Sequence, residues 1–234
     1  MPAHLRPSAP TAPDALLCGD PARALAIAQR VLVQPRMSNH HRGLWGYHGR
    51  TPAGLELSVQ STGIGGPSAA VVVAELAELG LRRAIRVGTC RAPGAFPPLG
   101  EGAIVEAAVP CDGTSAALGF APGTPIAPDP GLLRALRGLS GRATLTVWSR
   151  DLHRGAADPP LGALPDDGGA NGARVEDLQT AALFAICRRH GIAAAAVLAV
   201  ARGSGRPLED EPLEAALLDL AEVAATALRD STSG

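Results

Sequence analysis

The segment Ser61–Arg91, STGIGGPSAAVVVAELAELGLRRAIRVGTCR, constrains the chain more than any other stretch. Gly63, Gly65 and Gly66 permit backbone angles closed to residues with a Cβ, so the chain can turn tightly there and approach a ligand. Pro67 suits a first helical position, where its missing N–H costs nothing. The spacing of Ala70, Val73, Ala74 and Ala77 predicts a helix with those residues on its core face, Glu75 and Glu78 outward, and a stop at Gly80. Ala84–Val87 follows as a short apolar strand. It delivers Arg86, Gly88 and Thr89 to the carboxyl edge of a sheet, where open α/β folds place their ligands. An arginine, a glycine amide and a threonine hydroxyl at one strand end suit an anion. The same pattern also describes an ordinary strand–helix–strand unit with a surface arginine.

The rest of the chain repeats this alternation. Ala15–Cys18 reads as a strand, Gly19-Asp20-Pro21 as a turn, and Ala22–Arg30 as a helix whose first amides suit an anion beside Arg23. Val31–Gln34, Leu55–Ser61, Gly102–Val109 and Ala143–Ser149 read as further strands, and Pro130–Gly138 as a short helix. Gly155–Gly172 is a Gly/Pro/Asp-rich loop of a length that is functional when it occurs inside a domain, and its place after a strand end makes it an expected active-site flap. Val175–Asp177 leads into a helix over Leu178–His190. Ile192–Ala201 is a continuous apolar run, the mark of a strand covered on both faces, and Pro212–Leu228 is a final amphipathic helix. The expectation is an α/β chain: residues 1–13 a flexible segment, residues 14–234 one domain with a central mixed β-sheet flanked by helices in three layers.

Composition narrows the partners. With 234 residues, 46% apolar and 18% charged, the chain can bury a core of this size. Its 21 basic residues are all arginine, and the net charge is −1, so no field favours nucleic acid or an acidic membrane. Cys18, Cys90, Cys111 and Cys187 lie far apart and read as reduced thiols. The N-terminus lacks the apolar centre of a secretory signal, and no apolar run approaches the ~20 residues that span a bilayer, so a cytoplasmic location is expected. His40 and His41, read as strand neighbours, point to opposite faces and cannot share a metal ion.

Cys18-Gly19-Asp20-Pro21-Ala22-Arg23, His41-Arg42, Ser61–Ser68, Arg86-Val87-Gly88-Thr89, Asp112-Gly113-Thr114-Ser115 with Phe120-Ala121-Pro122, and Asp177-Leu178-Gln179-Thr180-Ala181-Ala182-Leu183 occur in one order along the chain. In that order they resemble the nucleoside phosphorylase family with the purine nucleoside and uridine phosphorylase fold, and are most similar to uridine phosphorylase. The resemblance implies phosphorolysis of a nucleoside such as uridine to base and ribose 1-phosphate. It implies a phosphate site of Gly19, Arg23, Arg86 and Thr89, completed by Arg42 from a neighbouring subunit. Arg86, Thr89 and Gln179 would be the catalytic set. The nucleoside would meet His4, Thr89, Cys90, His153, Asp177, Leu178, Gln179 and Arg202, with His4 also reaching across a dimer. Inorganic phosphate would be co-substrate, with no other cofactor and no metal, since Gly43 stands where the family's ion-binding Glu would be. A homodimer sharing its active sites, stacked in threes into a hexamer, is the implied assembly.

Several positions depart from the family. Gln179 replaces a Glu that holds the ribose, and Leu178 a Met that packs on it. Ala157 and Pro159 fall where uridine phosphorylases carry the Gln and Arg that read uracil. Arg202 stands where purine enzymes place an Asp, His153 where a Phe stacks on the base, and Arg91 where a Gly lies by the pocket. A hydrolase of the same fold and a catalytically weakened binding homologue are the alternative readings.

Overall fold

The computed structural model describes residues 2–92, 97–152, 173–203 and 207–231. The chain opens with β1 (Asp14–Cys18), α1 (Pro21–Val31), β2 (Val33–Asn39), β3 (Gly46–Arg50) and β4 (Glu56–Ser61). It continues through α2 (Gly65–Glu78), β5 (Arg83–Arg91), β6 (Gly102–Cys111), α3 (Gly113–Ala117) and α4 (Pro130–Leu139). It ends with β7 (Thr144–Arg150), β8 (Ala173–Asp177), α5 (Thr180–Arg189), β9 (Ala193–Arg202) and α6 (Asp210–Asp230).

The mixed sheet flanked by helices is present. Its strand order is β2-β3-β4-β1-β5-β8-β7-β6-β9, and β9 pairs back onto β5. Five strands, β5-β8-β7-β6-β9, therefore form a closed ring, with β4, β1, β3 and β2 extending from β5 as an open wing. β1, β4, β5 and β9 run parallel, whereas β6, β7 and β8 run against β5 and β9. β5 and β8 meet head-on through one pair, Arg91 opposite Glu176. The carboxyl ends of the two strand sets thus face one another, which brings residues from β5, β7 and β8 to one place.

Apolar side chains pack on both faces of the sheet. Val72, Val73 and Leu76 of α2 and Leu183 and Ile186 of α5 share one cluster with Val147, Val175 and Leu198. Ile27 of α1, Leu132 of α4 and Leu217 of α6 share the other with Leu16, Val59 and Val197. α2 and α5 come close because Gly66 has no side chain: a Cβ there would stand 3.0 Å from the Ala182 Cβ. Among the described residues no helix is long and apolar enough to cross a membrane.

Four local expectations change. α2 is rotated from its expected phase, burying Ala69, Val72, Val73 and Leu76 together with Glu75, while Val71 is exposed. Glu75 is covered because residues 2–12, read from the sequence as a flexible segment, lie against the domain with Leu5 and Ala12 buried. β5 runs on to Arg91 rather than ending at Val87, since β9 pairs with it along its whole length. His40 and His41 are not strand neighbours: β2 ends at Asn39, and His41–Gly43 form a 3-10 turn in which Arg42 has φ 58°.

Candidate active site

Arg86 occupies the middle of β5 and is 5% exposed. Its Nε donates to Thr180 Oγ1 (3.1 Å), Nη1 to Gln179 Oε1 (2.7 Å) and Nη2 to Asp177 Oδ2 (3.2 Å). Gly88 makes room for this arrangement, because a Cβ there would stand 2.6 Å from the Arg86 Cζ. Asp177 is a hub in turn. Ser149 Oγ donates to its Oδ1 at 2.6 Å, Thr180 Oγ1 to its Oδ2 at 2.5 Å, and the backbone amides of Gln179 and Thr180 also point at it. A buried ion pair is tolerated when its remaining polar atoms are bonded in this way. Three of the five N–H groups of Arg86 are committed, and two remain.

Gln179 ties this hub to the glycine turn. Its Nε2 donates to Gly63 O (2.7 Å) and Gly65 O (3.1 Å), and its Oε1 accepts from Arg86. Thr62 Oγ1 stands 3.1 Å from that Oε1 and 3.0 Å from Cys18 O, and its single proton serves one of the two. Both amide protons of Gln179 are thus committed, and its Oε1 is the atom that a sugar hydroxyl could reach as a donor. Asp177 is turned inward, with both oxygens engaged.

The first turn and the glycine turn lie against each other: a Cβ on Gly19 would stand 3.3 Å from Gly63 O. Asp20 caps α1 by accepting the Arg23 amide at 3.0 Å. The Arg23 side chain is half-buried and has no side-chain partner among the described residues. Burial pushes the Cys18 thiol up to about 12; Arg86 and Arg23 both pull the other way, so the two guanidinium groups act at one sulfur. Thr89 is half-buried three residues past Arg86 and, by strand alternation, on the opposite face of β5. Cys90 shares the Arg86 face; burial, then Asp177, raises its thiol, and Arg86 opposes them.

The residues implied to serve a neighbour are held together at the N-terminus. Glu75 accepts backbone N–H groups from Ala3 (3.0 Å), His4 (2.9 Å) and Leu5 (2.6 Å), and His4 Nδ1 donates to it at 2.7 Å. Burial works against this carboxylate's charge, but the bonds from Leu5, His4 and Ala3 outweigh it and hold its pKa at about 2. The His4 carbonyl in turn accepts from His41 Nδ1. Arg42, beside His41, is exposed and takes no partner among the described residues.

Arg86, Asp177 and Gln179 are thus in direct contact, with Gly19, Arg23 and Cys90 near them. Thr89 lies on the other face of β5, Leu178 is half-buried and Arg202 exposed. His153, Ala157, Pro159 and the expected flap lie outside the described residues. Sequence reasoning missed Thr62, Ser149 and Thr180 as members of the hub, and Glu75 as the anchor of His4. The one signal for Glu75 was Leu5, an apolar residue in a Pro/Ala-rich segment that needs a surface to pack on.

Comparison with known proteins gives the family and the fold. A family model described as the phosphorylase superfamily matches residues 13–158. The DeoD-type purine nucleoside phosphorylase of Oceanobacillus iheyensis is 47% identical over 78 residues, 33% of this chain and 33% of that protein. That of Clostridium beijerinckii is 41% identical over 92 residues, 38% of each. These matches span about a third of the relatives' length. The crystal structure of purine nucleoside phosphorylase from Toxoplasma gondii superposes with a TM-score of 0.82 at 22% identity, covering 94% of this chain and 92% of that one. These relatives are named as purine enzymes, and the expected likeness to uridine phosphorylase has no counterpart among them.

Proposed function

Because the chain belongs to the phosphorylase superfamily, we propose that it cleaves the N-glycosidic bond of a nucleoside with inorganic phosphate. A phosphate oxygen bonds to C1′, the C1′–N bond breaks, and its electron pair leaves with the base, which takes up a proton. The products are free base and ribose 1-phosphate. The observation that carries this reading is the buried Arg86, tied through Gln179 to the Gly63 turn, against which lies the Gly19 turn that leads to Arg23.

Phosphate needs charge-assisted donors from several directions. Among the described residues Arg86 keeps two N–H groups and Arg23 all of its side-chain ones; the Gly19 turn supplies main chain. Held beneath C1′, the dianion becomes a positioned nucleophile, and its charge stabilises the oxocarbenium character that develops as the bond lengthens. The reading needs phosphate as co-substrate and no other cofactor.

Arg42 is exposed, and His4, bound to Glu75 through Nδ1, has a side chain 42% exposed. Both are available to an adjoining subunit, so the active unit is a homodimer, built in threes into a hexamer. The base is uracil on the sequence resemblance. The names of the matched relatives favour a second reading, a purine. A panel of uridine, inosine and adenosine, with and without phosphate and read by base release, tests the whole. Release that requires phosphate is expected. Release undiminished without phosphate would make the protein a hydrolase, and binding without release would make it a nucleoside-binding homologue.

A further inference from the structure

Arg150, the last residue of β7, is 8% exposed, and its guanidinium is short of partners. Its Nε and Nη2 are buried without a hydrogen bond among the described residues. The carboxylate that faces it, Glu176 Oε1, stands 3.8 Å from Nε, outside hydrogen-bond reach. Buried guanidinium groups are normally satisfied, so an unfilled one in a strand-end site points to a ligand.

The sheet register shows what surrounds it. Glu176 pairs with Trp148 on one side and with Arg91 on the other, and Arg91 pairs with Arg202. Paired residues share a face, and side chains alternate along each strand. Trp148, Arg150, Glu176 and Arg91 therefore lie on one face, opposite the Arg86–Asp177 hub and on the side taken by Thr89. Arg91 also follows Cys90 directly in sequence. Two arginines, Arg91 and Arg150, and one glutamate leave this face with excess positive charge next to a buried indole.

We propose that Arg150, with Arg91 and Glu176 beside it, reads the base, and that the substrate is a nucleoside whose base carries an anionic group such as a carboxylate or an ionised ring N–H. This rests on the phosphorylase reading of the Arg86 hub, which β5, β7 and β8 bring to the same strand ends. The free N–H groups of Arg150 form a planar fork that fits such a group in two-point contact, which a neutral carbonyl meets less strongly. Trp148 supplies apolar wall, and Glu176 lies beside both arginines, 3.8 Å from Arg150 Nε and paired in the sheet with Arg91.

The test compares matched acidic and neutral nucleosides with phosphate present: 5-carboxyuridine against uridine, and xanthosine against inosine. Within whichever ring class is cleaved, kcat/KM for the acidic member is expected to exceed that for the neutral one by about tenfold or more. Arg150→Met should abolish the ratio, Arg150→Lys should restore part of it, and Glu176→Gln, which removes a competing carboxylate, should raise it. The ratio is internal to each variant, so lower stability alone does not move it. If the Arg150 variants do not fold, the wild-type ratio and Glu176→Gln decide. Phosphate-dependent cleavage with equal or better use of the neutral bases would overturn this inference and leave the phosphorylase reading standing. A preference for uridine 5′-monophosphate over both uridines would place the anion on the sugar side and overturn it equally. Absence of phosphate dependence throughout would overturn the phosphorylase reading instead.

Discussion

His41 Nδ1 donates to the carbonyl oxygen of His4 at 2.9 Å. Through this bond the N-terminal segment and the turn that carries Arg42 are one unit, anchored below by Glu75. In the phosphorylase reading His4 and Arg42 both serve an adjoining active site, so whatever displaces one displaces the other.

Glu75 makes that unit sensitive to acid. Its folded pKa of about 2 lies below the ordinary 4.5, so the ionised carboxylate favours the docked form. The contribution is complete above about pH 4.5 and is lost as pH falls towards about 2. Amide exchange at Leu5 should therefore speed up through that window. Glu75→Gln should show fast exchange already at neutral pH, and unchanged exchange in the variant would contradict the anchoring role.

Gln179 is held by carbonyl oxygens, which require an N–H donor. Gln179→Glu would set a carboxylate against Gly63 O and Gly65 O while improving the pairing with Arg86. The net cost should be about 1–3 kcal/mol, from buried oxygens left facing each other. A thermal melt should show Tm lower by about 2–4 °C per kcal/mol. A rise in Tm would mean the glycine turn does not depend on this amide.

Arg86 should be far less replaceable than a surface arginine. Arg86→Ala leaves Asp177 buried and short of its cation, a loss of about 3–5 kcal/mol. Gly88→Ala acts on the same group from the other side, since its methyl would meet the guanidinium at 2.6 Å, and should cost about 1–3 kcal/mol. Chemical denaturation of both variants checks the order. In the phosphorylase reading, kcat/KM for phosphate should also fall in Gly88→Ala, because the guanidinium is displaced.

Arg42 separates stability from activity. At φ 58° an L-residue is strained, and Arg42→Gly should stabilise the protein by about 1 kcal/mol. The same change removes a charged donor, so kcat/KM for phosphate should drop about tenfold or more. Calorimetry and steady-state kinetics on one preparation would show the two moving in opposite directions.

Much of this arrangement was legible in the sequence, for reasons that are local. The Gly19 and Gly63–Gly66 turns, the helices after them and the apolar run of β9 are written in neighbouring residues, and each formed near its expected place. What failed was long-range. The alanines of α2 suggest one phase, but its buried face is set by the sheet and α5, and Glu75 is covered by a segment about 70 positions earlier, through the Leu5–Glu75 bond. β8 is a strand because β7 lies beside it, and its five residues alone look like a lead into α5. Gln179 could be placed beside Arg86 by order along the chain; that both its amide protons are taken depends on Gly63 and Gly65, more than 110 positions away.

The ring of strands is sealed unevenly. β5 and β9 are zipped along nine positions and β6 and β7 along seven, whereas β5 and β8 touch at the single rung Arg91–Glu176. Parting that seam sacrifices one pairing and leaves every other ladder intact. Among the described ladders it is the shortest, and it stands between the hub that holds Arg86 and the face that holds Arg150.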